Sequence, residues 1–153
     1  MGKRHGFWKL VAAAAVIAVA GGAVHNELLG PRVRSVALPS ADPFTLRFAV
    51  FNPAFTVTLK NIDMACIPLG VYGNGWMAKA QPFPLNVDID LGPRAEFEYT
   101  CPIASSNVKG PVKRVEAKVA IQYARFGQRR RAMSGTLAWD SASRVWTDAG
   151  DSN

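Results

Sequence analysis

Long stretches of this chain alternate apolar and polar residues with a period of two. The longest series is Val115, Ala117, Val119, Ile121 and Tyr123, with Glu116, Lys118 and Gln122 between its members. A backbone that buries every second side chain is a strand with one dry face. Phe44, Leu46, Phe48 and Val50 repeat the pattern around Thr45 and Arg47, as do Leu85, Val87, Ile89 and Leu91 around Asn86, Asp88 and Asp90. Ala95, Phe97, Tyr99 and Cys101 alternate with Glu96, Glu98 and Thr100. Phe55, Val57 and Leu59 do so too, but the apolar parity then passes to Ile62, Met64 and Cys66. That flip predicts a bulge near Asn61 or a break into two strands.

Turn signals separate these series: Asn52-Pro53, Gly92-Pro93, residues 126–130 and residues 140–143. Residues 68–75 are rich in Gly and Pro and predict a loop, with Val71 and Tyr72 pairing only briefly. Residues 126–130 predict a hairpin connection into a strand over 133–139, where Met133, Leu137 and Trp139 share a parity that suits burial. A last short strand follows at 144–147. Seven to nine short strands at these spacings predict an all-β fold, an immunoglobulin-like antiparallel β-sandwich, with a small closed barrel as the alternative.

One segment does not fit this pattern. Residues 10–24 contain no charge, follow Lys3, Arg4 and Lys9, and predict one N-terminal hydrophobic helix. A basic start, an apolar centre and the small residues Ala18-Val19-Ala20 meet the needs of a cleaved signal. Residues 7–24 are also just long enough to cross a bilayer if Lys9 reaches back to the surface, with Phe7 and Trp8 as interfacial aromatics. Anchor and cleaved signal share one consequence, since either carries the rest of the chain out of the cytosol. The charges before the run hold the N-terminus inside and place the β domain in the periplasm or outside. The domain plan is therefore an anchor or signal at 1–24, a linker with a possible first strand at 25–43, a β-sandwich at 44–148 and a frayed tail at 149–153.

Export decides how the cysteines are read. Cys66 and Cys101 are the 2 cysteines of the chain. Each ends an apolar series, and an oxidising compartment favours a bridge between them over two buried thiols. Lone cysteines without further ligands offer no metal or redox motif. The 2 histidines, His5 and His25, flank the apolar run, so the β region has no imidazole for a nucleophile pair or a metal. No cofactor signature is present, and no Gly-rich phosphate loop opens a helix. Asp88, Asp90, Glu96 and Glu98 would share one surface if their strands formed a hairpin about Gly92-Pro93. That surface reads as a solvated face, with a loose calcium site or a glycosidase pair as weaker readings.

The candidate contact residues are a basic cluster and a tryptophan. Arg125, Arg129, Arg130 and Arg131 crowd one hairpin and would project together toward anionic headgroups or an acidic partner. The plainer reading is charge that keeps a sheet edge soluble. Trp76, in the Gly-rich stretch, is the tryptophan expected to be most exposed. Nucleic acid is disfavoured by export and by the lack of exposed aromatics interleaved with the cations.

A short amino-terminal membrane segment, then a strand ending in Asn52-Pro53, then Phe55, Val57, Leu59 and Ile62 in alternation, resembles the water-stress domain of group 2 late embryogenesis abundant proteins. The resemblance covers residues 44–64 and implies a β-sandwich in a non-enzymatic stress or envelope protein. The cysteine pair and the arginine-rich turn depart from that family's pattern. The sequence thus predicts a non-enzymatic, exported protein held by residues 7–24, serving as an accessory subunit among membrane or envelope proteins. A freed periplasmic or secreted binding module for an anionic ligand is the alternative.

Overall fold

The computed structural model describes residues 21, 25, 28–36, 42–85, 87–103 and 108–149. The predicted membrane segment at 7–24 lies outside the described residues apart from Gly21. Among the described residues, no helix is long and apolar enough to cross a membrane.

The described chain is all-β and antiparallel. Its strands are β1 (Arg32–Ser35), β2 (Thr45–Phe51), β3 (Leu59–Gly73), β4 (Trp76–Ala78), β5 (Phe83–Pro84), β6 (Ile89–Leu91), β7 (Glu96–Pro102), β8 (Val112–Arg125), β9 (Gln128–Met133), β10 (Leu137–Asp140) and β11 (Val145–Asp148). A small sheet runs β1-β2-β7. A large one runs β11-β10-β8-β3-β4, with β5 and β6 also pairing β3 and β9 also pairing β8. The eleven described strands exceed the seven to nine expected, because β4 and β5 are short pieces outside the predicted series and β9 begins within the 126–130 stretch expected as a connection.

The two sheets close over a common core. Leu46, Phe48 and Val50 of β2 meet Ile62, Met64 and Val71 of β3, and Val115, Val119 and Ile121 of β8, all buried. Cys66 on β3 and Cys101 on β7 form a disulfide between the two sheets, with their Cα atoms 6.4 Å apart. The predicted bridge is therefore present and joins the layers of a sandwich.

The parity flip has a clear origin. Asn61 takes a left-handed φ of 51°, and the pairing of β3 with β8 shifts between Lys60 and Asp63. One extra residue moves the apolar set from Leu59 to Ile62 while both stay buried. The Asn61 N–H, displaced from the ladder, is taken by the Asp90 carboxylate at 3.0 Å.

Residues 68–73, expected as a loop, instead continue β3. Pro68 pairs Ala117 and Gly70 pairs Glu116, so a second register shift absorbs Leu69 and the missing N–H of proline. The glycines make room for rings. A Cβ on Gly70 would lie 2.8 Å from the Tyr72 hydroxyl, and one on Gly73 would collide with the Trp76 indole. Only residues 74–75 remain as a turn, where Gly75 has a φ of 69°.

Tyr72 illustrates how the outer face of the large sheet is held. Its hydroxyl lies 3.3 Å from Glu116 Oε2, while Arg114 Nε donates to Glu116 Oε1 at 2.7 Å. Burial, and then the negative charge of Glu116, raise the Tyr72 phenol above its ordinary value. A phenol raised in the folded state contributes stability that is complete below the unfolded value of about 10 and is lost as pH rises through the folded value. Tyr72→Phe should therefore cost about 1 kcal/mol at pH 7 and progressively less above pH ~10. Urea midpoints of the two proteins measured from pH 7 to 11 check this; a gap that stays constant refutes it.

Candidate functional site

Strand directions bring several connections to one end of the sandwich. Arg32 pairs Phe51, so the chain enters β1 at the end where β2 finishes. Leu59 pairs Leu91, placing the 52–58 loop and the 92–95 connection there too. Finally, β8 runs toward this end and turns back at Phe126-Gly127 into β9, with Arg125 opposite Gln128. Both turn residues have left-handed φ values, 49° and 74°, as a two-residue hairpin requires.

Asn52 ties this end together. Its buried amide nitrogen donates to the carbonyls of Val57 at 2.8 Å and of Leu91 and Gly92 at 3.0 Å. Its Oδ1 accepts from the Ala54 N–H at 3.1 Å, and its backbone N–H donates to Ala95 at 3.0 Å. The Asn-Pro step is thus a knot between two loops. Arg94 completes it, with its guanidinium over the rings of Phe51 and Phe55 at 4.9 and 5.0 Å.

The predicted basic cluster divides. Arg129, Arg130 and Arg131 are exposed on β9, with Arg129 and Arg131 on the outer face opposite Ala124 and Gln122. Arg130 stands on the other face, opposite Tyr123. Arg125 does not project with them. It is only 2% exposed, packed over the Phe126 ring, with Nη1 donating to the Leu29 carbonyl at 2.7 Å. Its Nε and Nη2 have no hydrogen-bond partner among the described residues. The period already contained this outcome, because Arg125 continues the inward parity of Ile121 and Tyr123. A Cβ on Gly30 would lie 2.6 Å from the Tyr123 hydroxyl, so the entering chain lies close against β8.

Trp76 is half-buried rather than exposed. It opens β4, packs its indole over Gly73 and leans on the core. It is not near the arginines, since Gly73 and Trp76 lie at the opposite end of β3. Met133, expected inside, is 60% exposed, because residues 134–136 break the strand and only Leu137 and Trp139 of β10 turn inward.

The four carboxylates do not share a surface. Gly92-Pro93 crosses between sheets: β6 pairs β3, while β7 pairs β2. Glu96 is engaged by Arg34, whose Nη2 lies 2.5 and 2.7 Å from its two oxygens. Among the described residues, no three His, Cys, Asp or Glu side chains converge in a way that could hold a metal ion.

What pattern reading missed is a set of side chains gathered at the entry end. Phe126 is 71%, Leu28 65% and Phe55 52% exposed, and Arg32, Lys60 and Arg94 stand exposed around them. An open groove of about 730 Å³ runs between the 56–58 loop and the 126–127 turn, with Lys60 and Asn61 in its lining. The residues are scattered in sequence, so only the strand directions bring them together. Comparison with protein-family models, with curated proteins and with solved structures gives no match for this chain.

Proposed function

We propose that this chain is a non-enzymatic, exported β-sandwich held at a membrane by residues 7–24, and that it works as an accessory subunit among membrane or envelope proteins. The observation that carries the reading is the disulfide between Cys66 and Cys101, which fits an oxidising compartment and so agrees with the apolar run that would deliver the domain there. The sandwich is read as immunoglobulin-like, because two antiparallel sheets are joined across the core by one bridge. An envelope role is also what the resemblance at residues 44–64 implies, and Asn52 supplies a structural reason for its Asn-Pro step. The exposed Arg129, Arg130 and Arg131 favour a second reading, a module freed by cleavage that binds an anionic ligand.

Intact mass of the native protein from separated membrane and soluble fractions tests the choice. The anchored reading expects the full-length mass in the membrane fraction, retained through an alkaline carbonate wash. A soluble chain shortened by about 20 residues would replace it with the cleaved module.

A further inference from the structure

We infer that the entry end of the sandwich is a membrane-apposed surface that rests on anionic lipid headgroups. The inference deepens the anchored reading and rests on it. Its first support is reach. Val24 ends the apolar run and Leu29 is bonded to Arg125, so four residues, and five residue-to-residue steps, separate the bilayer segment from the β domain. Fully extended, five steps span at most about 17 Å. Whatever path they take, the 126–127 turn cannot stand far from the surface.

Arg125 gives that tether a direction. Its hydrogen bond to Leu29, with Tyr123 closing on Gly30, fixes where the chain enters, beside Phe126 rather than at the far end. Arg125 is a positioning residue in this scheme, because it is buried away from any headgroup.

Composition supplies the second support. Phe126, Phe55 and Leu28 stand out singly, and exposed cations share their end of the sandwich: Arg94 over Phe55, Arg32 opposite Phe51, Lys60 opposite Ala124 and the arginines of β9. Aromatic rings set among lysine and arginine are the side chains that favour the headgroup layer. Among the described residues, the acids nearest this end are largely engaged, Asp90 by the Asn61 N–H and Glu96 by Arg34, while Asp63 faces Gln122 across the strands. At the opposite end, the aromatic residues in or beside the turns, Phe44 and Trp76, are half-buried against the core. A flat protein partner would favour one continuous apolar patch, whereas separate rings among charges suit a yielding, anionic surface.

The test uses the full chain reconstituted in two vesicle types, phosphatidylcholine alone and phosphatidylcholine with phosphatidylglycerol. Amide hydrogen exchange is followed at residues 53–58 and 126–131. Exchange there should be several-fold slower on the anionic vesicles, and the contrast should vanish in about 0.5 M salt, where the screening length is well under 10 Å. Each cation at such a surface is worth about fivefold in partitioning. Arg129→Glu with Arg130→Glu and Arg131→Glu should therefore abolish the contrast while leaving exchange in β3 unchanged, which reports an intact fold. Equal exchange on the two vesicle types would overturn the inference. So would protection that appears only when another membrane protein is added. A carbonate wash of the same vesicles separates the two levels of argument: release of the chain removes the anchor and the tether argument with it, while retention without a lipid contrast removes only the apposed surface.

Discussion

Asn52→Leu is expected to lower the stability of the β domain by about 3–5 kcal/mol, the larger of the two strongest effects considered. The substitution keeps the branched shape, with bulkier methyl tips, but strips partners from the carbonyls of Val57, Leu91 and Gly92 and from the amide of Ala54. Each buried polar group left without a partner costs about 1–3 kcal/mol, and partial relaxation or an entering water keeps the total below the simple sum. Asn52→Ala should cost less, because the smaller side chain leaves space for water to reach the same carbonyls. Asn52→Asp is the sharper control, since it points a second acceptor at three carbonyl oxygens and should be at least as harmful as leucine. Urea midpoints of the three variants measure the order. A loss below about 1 kcal/mol for leucine would show that the amide does not hold the loops together.

Removing the bridge should have an effect of similar size. Cys66→Ala with Cys101→Ala opens a link whose sequence separation is 35 residues, and loop-closure entropy assigns that link about 4 kcal/mol. A domain of this size has a total stability of about 5–15 kcal/mol, so the loss is a large share of it. The corollary is that the domain reaches its full stability only under conditions that keep the bridge oxidised. Thermal unfolding with and without reductant gives the answer. An unchanged midpoint would remove both the stabilising role and the argument that links the bridge to compartment.

The fold was largely legible because period-two burial is a local signal. Two sheets were implied by the alternation, the bulge at Asn61 by the change of parity from Leu59 to Ile62, and the disulfide by two inward-facing cysteines in a chain whose apolar start predicts export. Reading failed where pairing is decided by distant strands. Gly92-Pro93 looked like a hairpin turn because β6 and β7 are adjacent in sequence, yet they pair β3 and β2 in different sheets. Residues 68–73 looked like a loop because glycine and proline usually break strands. Here Gly70 and Gly73 are the places where the Tyr72 and Trp76 rings lie. Arg125 was misplaced by grouping it with its charged neighbours instead of extending the Val115 to Tyr123 period by one more step. The entry end was invisible for another reason: Leu28, Phe55, Arg94 and Phe126 share no local pattern and meet only through topology.

Among the described residues, β7 and β9 each pair on one side only, with β2 and β8 respectively. Open strand edges invite copies of a protein to zip together. The charges on these two edges work against it in matched fashion. Joining β9 to β9 would crowd two sets of Arg129, Arg130 and Arg131, and joining β7 to β7 would crowd two sets of Glu96 and Glu98. At β9, self-recognition is discouraged by the same arginines that the proposed apposed surface turns toward headgroups, so neutralising them would also open that edge to pairing with another copy.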